Sequence, residues 1–86
     1  MIAGASGAIR WGYQAVATVR DWTIQRSDDG ALVLSGKVED VDPYAVSQSR
    51  LRFQVTHDAG SWRWPIERLQ VEGASCSATL GPLESQ

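Results

Sequence analysis

Hydrophobic and polar residues alternate along most of this chain, and no stretch sustains the spacing of an amphipathic helix. From Val16 to Arg26, the run VATVRDWTIQR puts Trp22 and Ile24 on one face and Thr23 and Gln25 on the other. Ser27-Asp28-Asp29-Gly30 follows, and Asp-Gly supplies the backbone twist that a hairpin needs. The next run, ALVLSGKVED, sets Leu32, Leu34 and Val38 on one face, with Gly36 as a bulge or a point of close approach. Leu51, Phe53 and Val55 then alternate with Arg52, Gln54 and Thr56 as a half-buried strand, and His57-Asp58-Ala59-Gly60 reads as a turn. Trp62, Trp64 and Ile66 alternate with Arg63, Pro65 and Glu67. Pro65 lacks a ladder donor and so argues for an edge strand. Leu69 and Val71 precede Gly73, after which Cys76, Ala78 and Leu80 alternate with Ser75, Ser77 and Thr79. The one segment outside this rhythm, Asp42–Ser49, fits a short helix or turn with Asp42 as N-cap and Pro43 at the first position.

Six or so short strands at this spacing predict an all-β fold, a small antiparallel sandwich or barrel with at most one short helix. Eighty-six residues make one domain, 1–86, with residues 1–7 and 82–86 expected as extended arms. Trp22, Leu34, Phe53 and Val55 are the expected core. A chain of 9.4 kDa hides only a little over ~60% of its unfolded surface, which is marginal for a lone monomer and would be helped by burial in an assembly.

Charge and chemistry narrow the function. A net charge of −2 is no footprint of a nucleic-acid binder, so no specific nucleic-acid binding is expected. No apolar run approaches a membrane span, and the apolar stretch at the start is too short for a signal peptide. A single cysteine, Cys76, excludes an internal disulfide and a Cys₂ or Cys₄ zinc site; lying within ASCSA, it reads as a packed small residue. His57 beside Asp58, with Ser47, Ser49 and Ser61 in the chain, invites a hydrolase reading. No nucleophile elbow accompanies them, and a solvent-facing hairpin histidine is the better reading. The acids at Glu39, Asp40 and Asp42, and at Asp28 and Asp29, lack the calcium-loop pattern and read as solvated turns. No catalytic residue, metal or cofactor is therefore expected, and an enzyme is the least supported class.

Four tryptophans and seven arginines among eight cations are the unusual features. Trp62 and Trp64 lie two apart and share a face if extended, and Trp11 and Tyr13 repeat that spacing. Buried, the tryptophan pair fills a core or meets a neighbouring subunit; exposed, it would stack on sugar rings or bases with Arg52 or Arg63 nearby. The core or subunit reading is preferred for a net-acidic chain. Arg10, Trp11, Tyr13, Trp62, Arg63, Trp64 and Arg68 are accordingly the candidate subunit interface. Edge strands are expected near Ala8–Tyr13 and Ser61–Ile66, and Arg10, Arg63 and Arg68 are candidates for intersubunit ion pairs with the Glu39–Asp42 acids.

The stretch Gly7-Ala8-Ile9-Arg10-Trp11-Gly12, followed by Val16-Ala17-Thr18-Val19-Arg20-Asp21-Trp22-Thr23-Ile24, resembles the N-terminal strands of tail-tube and related tail proteins of tailed bacteriophages. The resemblance covers about a third of the chain. It implies a β-sandwich with one flanking helix, whose subunits form rings, commonly hexameric, through edge strands and loops. The lumen of such a ring passes DNA along an acidic or neutral lining. Typical tube subunits are longer and carry an extended hairpin loop between rings, whereas Ser27–Gly30 closes this hairpin tightly. Related folds recur in tail terminators, head–tail connectors and baseplate hub proteins, and a shortened tail or neck component, or a capsid decoration protein, fits the length better than a full tube subunit. The expectation is a non-enzymatic virion protein, made in the host cytoplasm, that partners itself and other virion proteins. Two alternatives stand beside it: a monomeric β-barrel module for carbohydrate or single-stranded nucleic acid, and a phage-encoded inhibitor of a host protein.

Overall fold

A computed structural model describes residues 1–85. The strands are β1 (Ile2–Trp11), β2 (Gln14–Arg26), β3 (Leu32–Glu39), β4 (Leu51–His57), β5 (Gly60–Glu72), β6 (Ser75–Leu80) and the two-residue β7 (Glu84–Ser85). Every neighbouring pair is antiparallel. Six strands run in the order β4-β1-β2-β3-β6-β5, and β4 pairs again with β5 to close a barrel. Of the expected all-β sandwich or barrel with at most one short helix, the chain forms the barrel, not the sandwich with a flanking helix that the resemblance implied. The helical segment shrinks to a single 3₁₀ turn, Ala45–Ser47. Asp42 still does the capping work: its Oδ1 accepts the backbone N–H groups of Tyr44 and Ala45, both at 3.1 Å. With Pro43 following and Gln48 already extended, there is no length for a second turn.

Alternation explains the core. Trp22, Ile24, Leu34, Val38, Leu51, Phe53, Val55, Cys76, Ala78 and Leu80 all point inward and are buried. No charged or polar side chain is buried with them among the described residues. The rings of Trp22, Phe53 and Trp64 stack in sequence, Phe53 edge-on to Trp22 at 5.4 Å and nearly parallel to Trp64 at 5.9 Å. Two glycines of β1 make room for them. A Cβ on Gly4 would stand 2.6 Å from the Trp22 indole, and one on Gly7 would stand 2.6 Å from the Phe53 ring. Gly36 faces the register shift between Arg20 and Thr23 of β2, where a Cβ would meet Val19 at 2.6 Å. It serves as both the bulge partner and the close approach that its place in a strand implied.

Closure overturns the expected edges. Ala8–Trp11 pair with β2 on one side and with Gln54–Leu51 of β4 on the other, so this stretch is an interior strand. Ser61–Pro65 likewise pair with β4, and Trp62 and Arg63 also pair with Ser85 and Glu84 of β7. Pro65 is tolerated for a local reason. Its carbonyl accepts Gly81 N–H at 2.7 Å, in the break between β6 and β7. A strand residue's N–H and C=O point to the same side, so the missing donor faces that break and interrupts no ladder. β5 consequently runs on as one strand through Glu72, bending at a bulge between Ile66 and Arg68. Among the described residues the two longest stretches with one side unpaired are Ile2–Gly7, which pairs with β2 alone, and Ile66–Glu72 of β5, which pairs with β6 alone. Residues 1–7 are thus mostly strand rather than a free arm. Residues 84 and 85 of the second arm return onto β5, and Gln86 lies outside the described residues.

Candidate arginine and tyrosine surface

Strand alternation leaves the outer faces of β1, β4 and β5 to polar residues, and closure brings those faces side by side. Arg10 lies directly opposite Arg52, and Gln54 lies directly opposite Arg63. With Gly12 and Tyr13 of the β1–β2 turn they line a concavity of about 470 Å³. Tyr13 stands on its rim with its side chain 100% exposed. The turn is held from below, since the Arg10 guanidinium donates to the Tyr13 carbonyl. Gly12 adopts φ +61°, a left-handed conformation that suits glycine at the tip of a two-residue turn.

One carboxylate reaches this cluster. Arg52 Nε donates to Glu84 Oε1 at 2.7 Å, and its NH2 group reaches Oε2 at 3.5 Å. The hydrogen bond from Arg52 holds the Glu84 carboxyl below its usual range against a small desolvation cost, and the charges of Arg52 and Arg63 act in the same direction. The same bond raises Arg52. Arg63 Nε is buried and has no hydrogen-bond partner among the described residues. Three guanidinium groups against one carboxylate leave the concavity cationic on a chain whose net charge is −2.

The structure thus gathers Arg10, Tyr13 and Arg63 and disperses the rest of the expected interface. Trp64 is 4% exposed and belongs to the core, so it offers no outward surface. Trp62 shares its face but sits near the β4–β5 turn, where the barrel opens; it is 40% exposed and packs against His57 at 4.7 Å. Trp11 is half-buried against the core and meets Tyr44 edge-on at 6.4 Å. Trp11 and Tyr13 do not share a strand face, because β1 ends at Trp11. Arg68 lies beyond the β5 bulge, opposite Thr79, outside the concavity. Among the acids proposed as its partners, Glu39 is already paired with Arg20 at 2.5 Å and Asp42 accepts from Gln14 at 3.2 Å. Gln54, Gly12 and Glu84 were not legible as site residues, because only closure of β1 on β4 and the return of β7 bring them here. Arg52 was suggested only as a charge beside the tryptophans.

The other residues singled out for chemistry lie outside the concavity. Burial raises the Cys76 thiol above its usual range, partly offset by a hydrogen bond with the Gly36 backbone. His57 Nδ1 accepts the Ala59 N–H at 3.3 Å within its own turn. No group of three or more His, Cys, Asp or Glu side chains suited to a metal ion occurs among the described residues. No helix among them is long and apolar enough to cross a membrane. No family model, curated protein or solved structure matches this chain.

Proposed function

We propose that this chain is a non-enzymatic structural subunit of a tailed-phage particle, self-associating into a ring or lattice in the tail, neck or capsid surface. The observation that carries the reading is the placement of exposed apolar side chains at both ends of one small barrel. Tyr13, Tyr44 and Val71 stand on or beside the three connections at one end. Met1, Ile2 and Trp62 stand at the other, which carries the β2–β3 and β4–β5 turns. Unlike surfaces at opposite ends favour head-to-tail contact, which closes into rings or continues as filaments. The free edge of Ile2–Gly7 adds a backbone surface to which a neighbouring strand would pair. Resemblance of the first strands to phage tail proteins points the same way.

The test is light-scattering mass across a concentration series, with electron micrographs of the leading fraction. Rings, tubes or a fixed multiple of 9.4 kDa are expected. The double variant Tyr13→Ser, Tyr44→Ser should shift that mass towards monomer with an unchanged circular dichroism spectrum. A wild-type chain that stays monomeric at high concentration overturns the reading.

A further inference from the structure

The arginine concavity is costly to build for the sake of the fold. Arg10 and Arg52 are directly opposite across an antiparallel pair, where like charges repel. A third guanidinium joins them with its Nε–H buried and unbonded, a donor that native proteins rarely leave without an acceptor. Glu84 hydrogen-bonds only one of the three, through the planar fork of Arg52, although it also lies opposite Arg63 across β5 and β7. Arg63 and Arg10 retain donors directed from different strands, and Gln54 adds an amide beside them.

We propose that this concavity binds a phosphate monoester of small-molecule size, with Arg10, Arg52 and Arg63 around the phosphate. A carboxylate is planar and is satisfied by one guanidinium fork, as Glu84 is here. Guanidinium groups approaching from three strands instead suit a tetrahedral dianion, which accepts hydrogen bonds in several directions. The volume of about 470 Å³ is far more than a bare phosphate fills and falls in the range of small-ligand sites. The group esterified to the phosphate would lie towards Gly12 at the β1–β2 turn. A polynucleotide is the weaker fit, since the chain as a whole is acidic and the cationic area is confined to this concavity.

The probes are inorganic phosphate and adenosine 5′-monophosphate, added at constant ionic strength to the full ¹⁵N-labelled chain. The readout is the arginine Nε–H correlations. Saturable movement of the Arg63 signal is expected, with the monophosphate binding at least as tightly as inorganic phosphate. Arg63→Gln and Arg10→Gln should each weaken binding about tenfold with the other amide signals in place. If Arg63→Gln does not fold, the Arg10→Gln variant, altered at a half-exposed position, carries the test. Three results each overturn the proposal: no movement with either probe, equal binding of acetate, or weaker binding of the monophosphate than of inorganic phosphate. A short oligothymidylate that binds more tightly than both, with a steep salt dependence, overturns it in favour of a nucleic-acid surface. Light-scattering mass taken before the titration separates this outcome from that of the assembly reading, because the concavity lies within one chain.

Discussion

The inner and outer faces of β1, β4 and β5 are built from the same three pairs of adjacent residues. Ile9, Phe53 and Trp64 point inward, while their sequence neighbours Arg10, Arg52 and Arg63 point outward. Inside, aromatic rings pack at stacking distance with no charge among them. Outside, like charges face one another around an open hollow. The inner face is organised for stability and the outer face against it, so the two should respond to substitution in opposite ways.

The sharpest separation comes from the core. Phe53→Ala should cost about 3–5 kcal/mol, read from urea unfolding, because it empties the middle of the ring stack. A loss near 1 kcal/mol would mean that the barrel collapses readily and that the stack is not its keystone. Gly7→Ala comes next, at about 1–3 kcal/mol, since the new methyl meets a Phe53 ring already held between Trp22 and Trp64. Urea midpoints at unchanged slope would establish that figure, and a neutral Gly7→Ala would show that the ring has room to move. On the outer face the sign reverses. Arg10→Gln should raise stability by up to ~0.5 kcal/mol in low-salt, phosphate-free buffer, because it removes one of two opposed like charges. A clear destabilisation would instead mean that the Arg10 hydrogen bond to the Tyr13 carbonyl outweighs the repulsion.

The smallest effect concerns β7. Glu84 has its carboxyl depressed, so its ion pair contributes above the ordinary carboxyl range and is lost as pH falls through the lowered value. Its titration, followed by carboxyl ¹³C shifts, should move up towards the usual range in Arg52→Gln. An unmoved titration would show that Arg52 does not hold β7 in solution.

What the sequence revealed follows the same division. Period-two alternation is a local property, so it identified the buried faces of β2, β3, β4 and β6, and the glycine within ALVLSGKVED marked the point facing the β2 bulge. Pro65 misled because its effect depends on what faces its nitrogen, and that is settled by the distant Gly81. Trp62 and Trp64 share a face as their spacing requires, yet position along the barrel makes one core and leaves the other at the mouth. The concavity needs three segments brought together, and no local pattern encodes that β1 lies beside β4.

That last pairing also has a kinetic meaning. Trp11 and Leu51 are neighbours across β1 and β4 although forty positions separate them in the chain. Tight hairpins such as β2–β3 and β4–β5 can form within about 1–10 μs, whereas a contact this distant must await closure of a long loop. Until that moment Arg10 and Arg52 are strangers, and the hollow between them does not exist. The arginine surface therefore exists only once β1 and β4 have paired, and an anion held there would bind the finished barrel in preference to any form without that pairing.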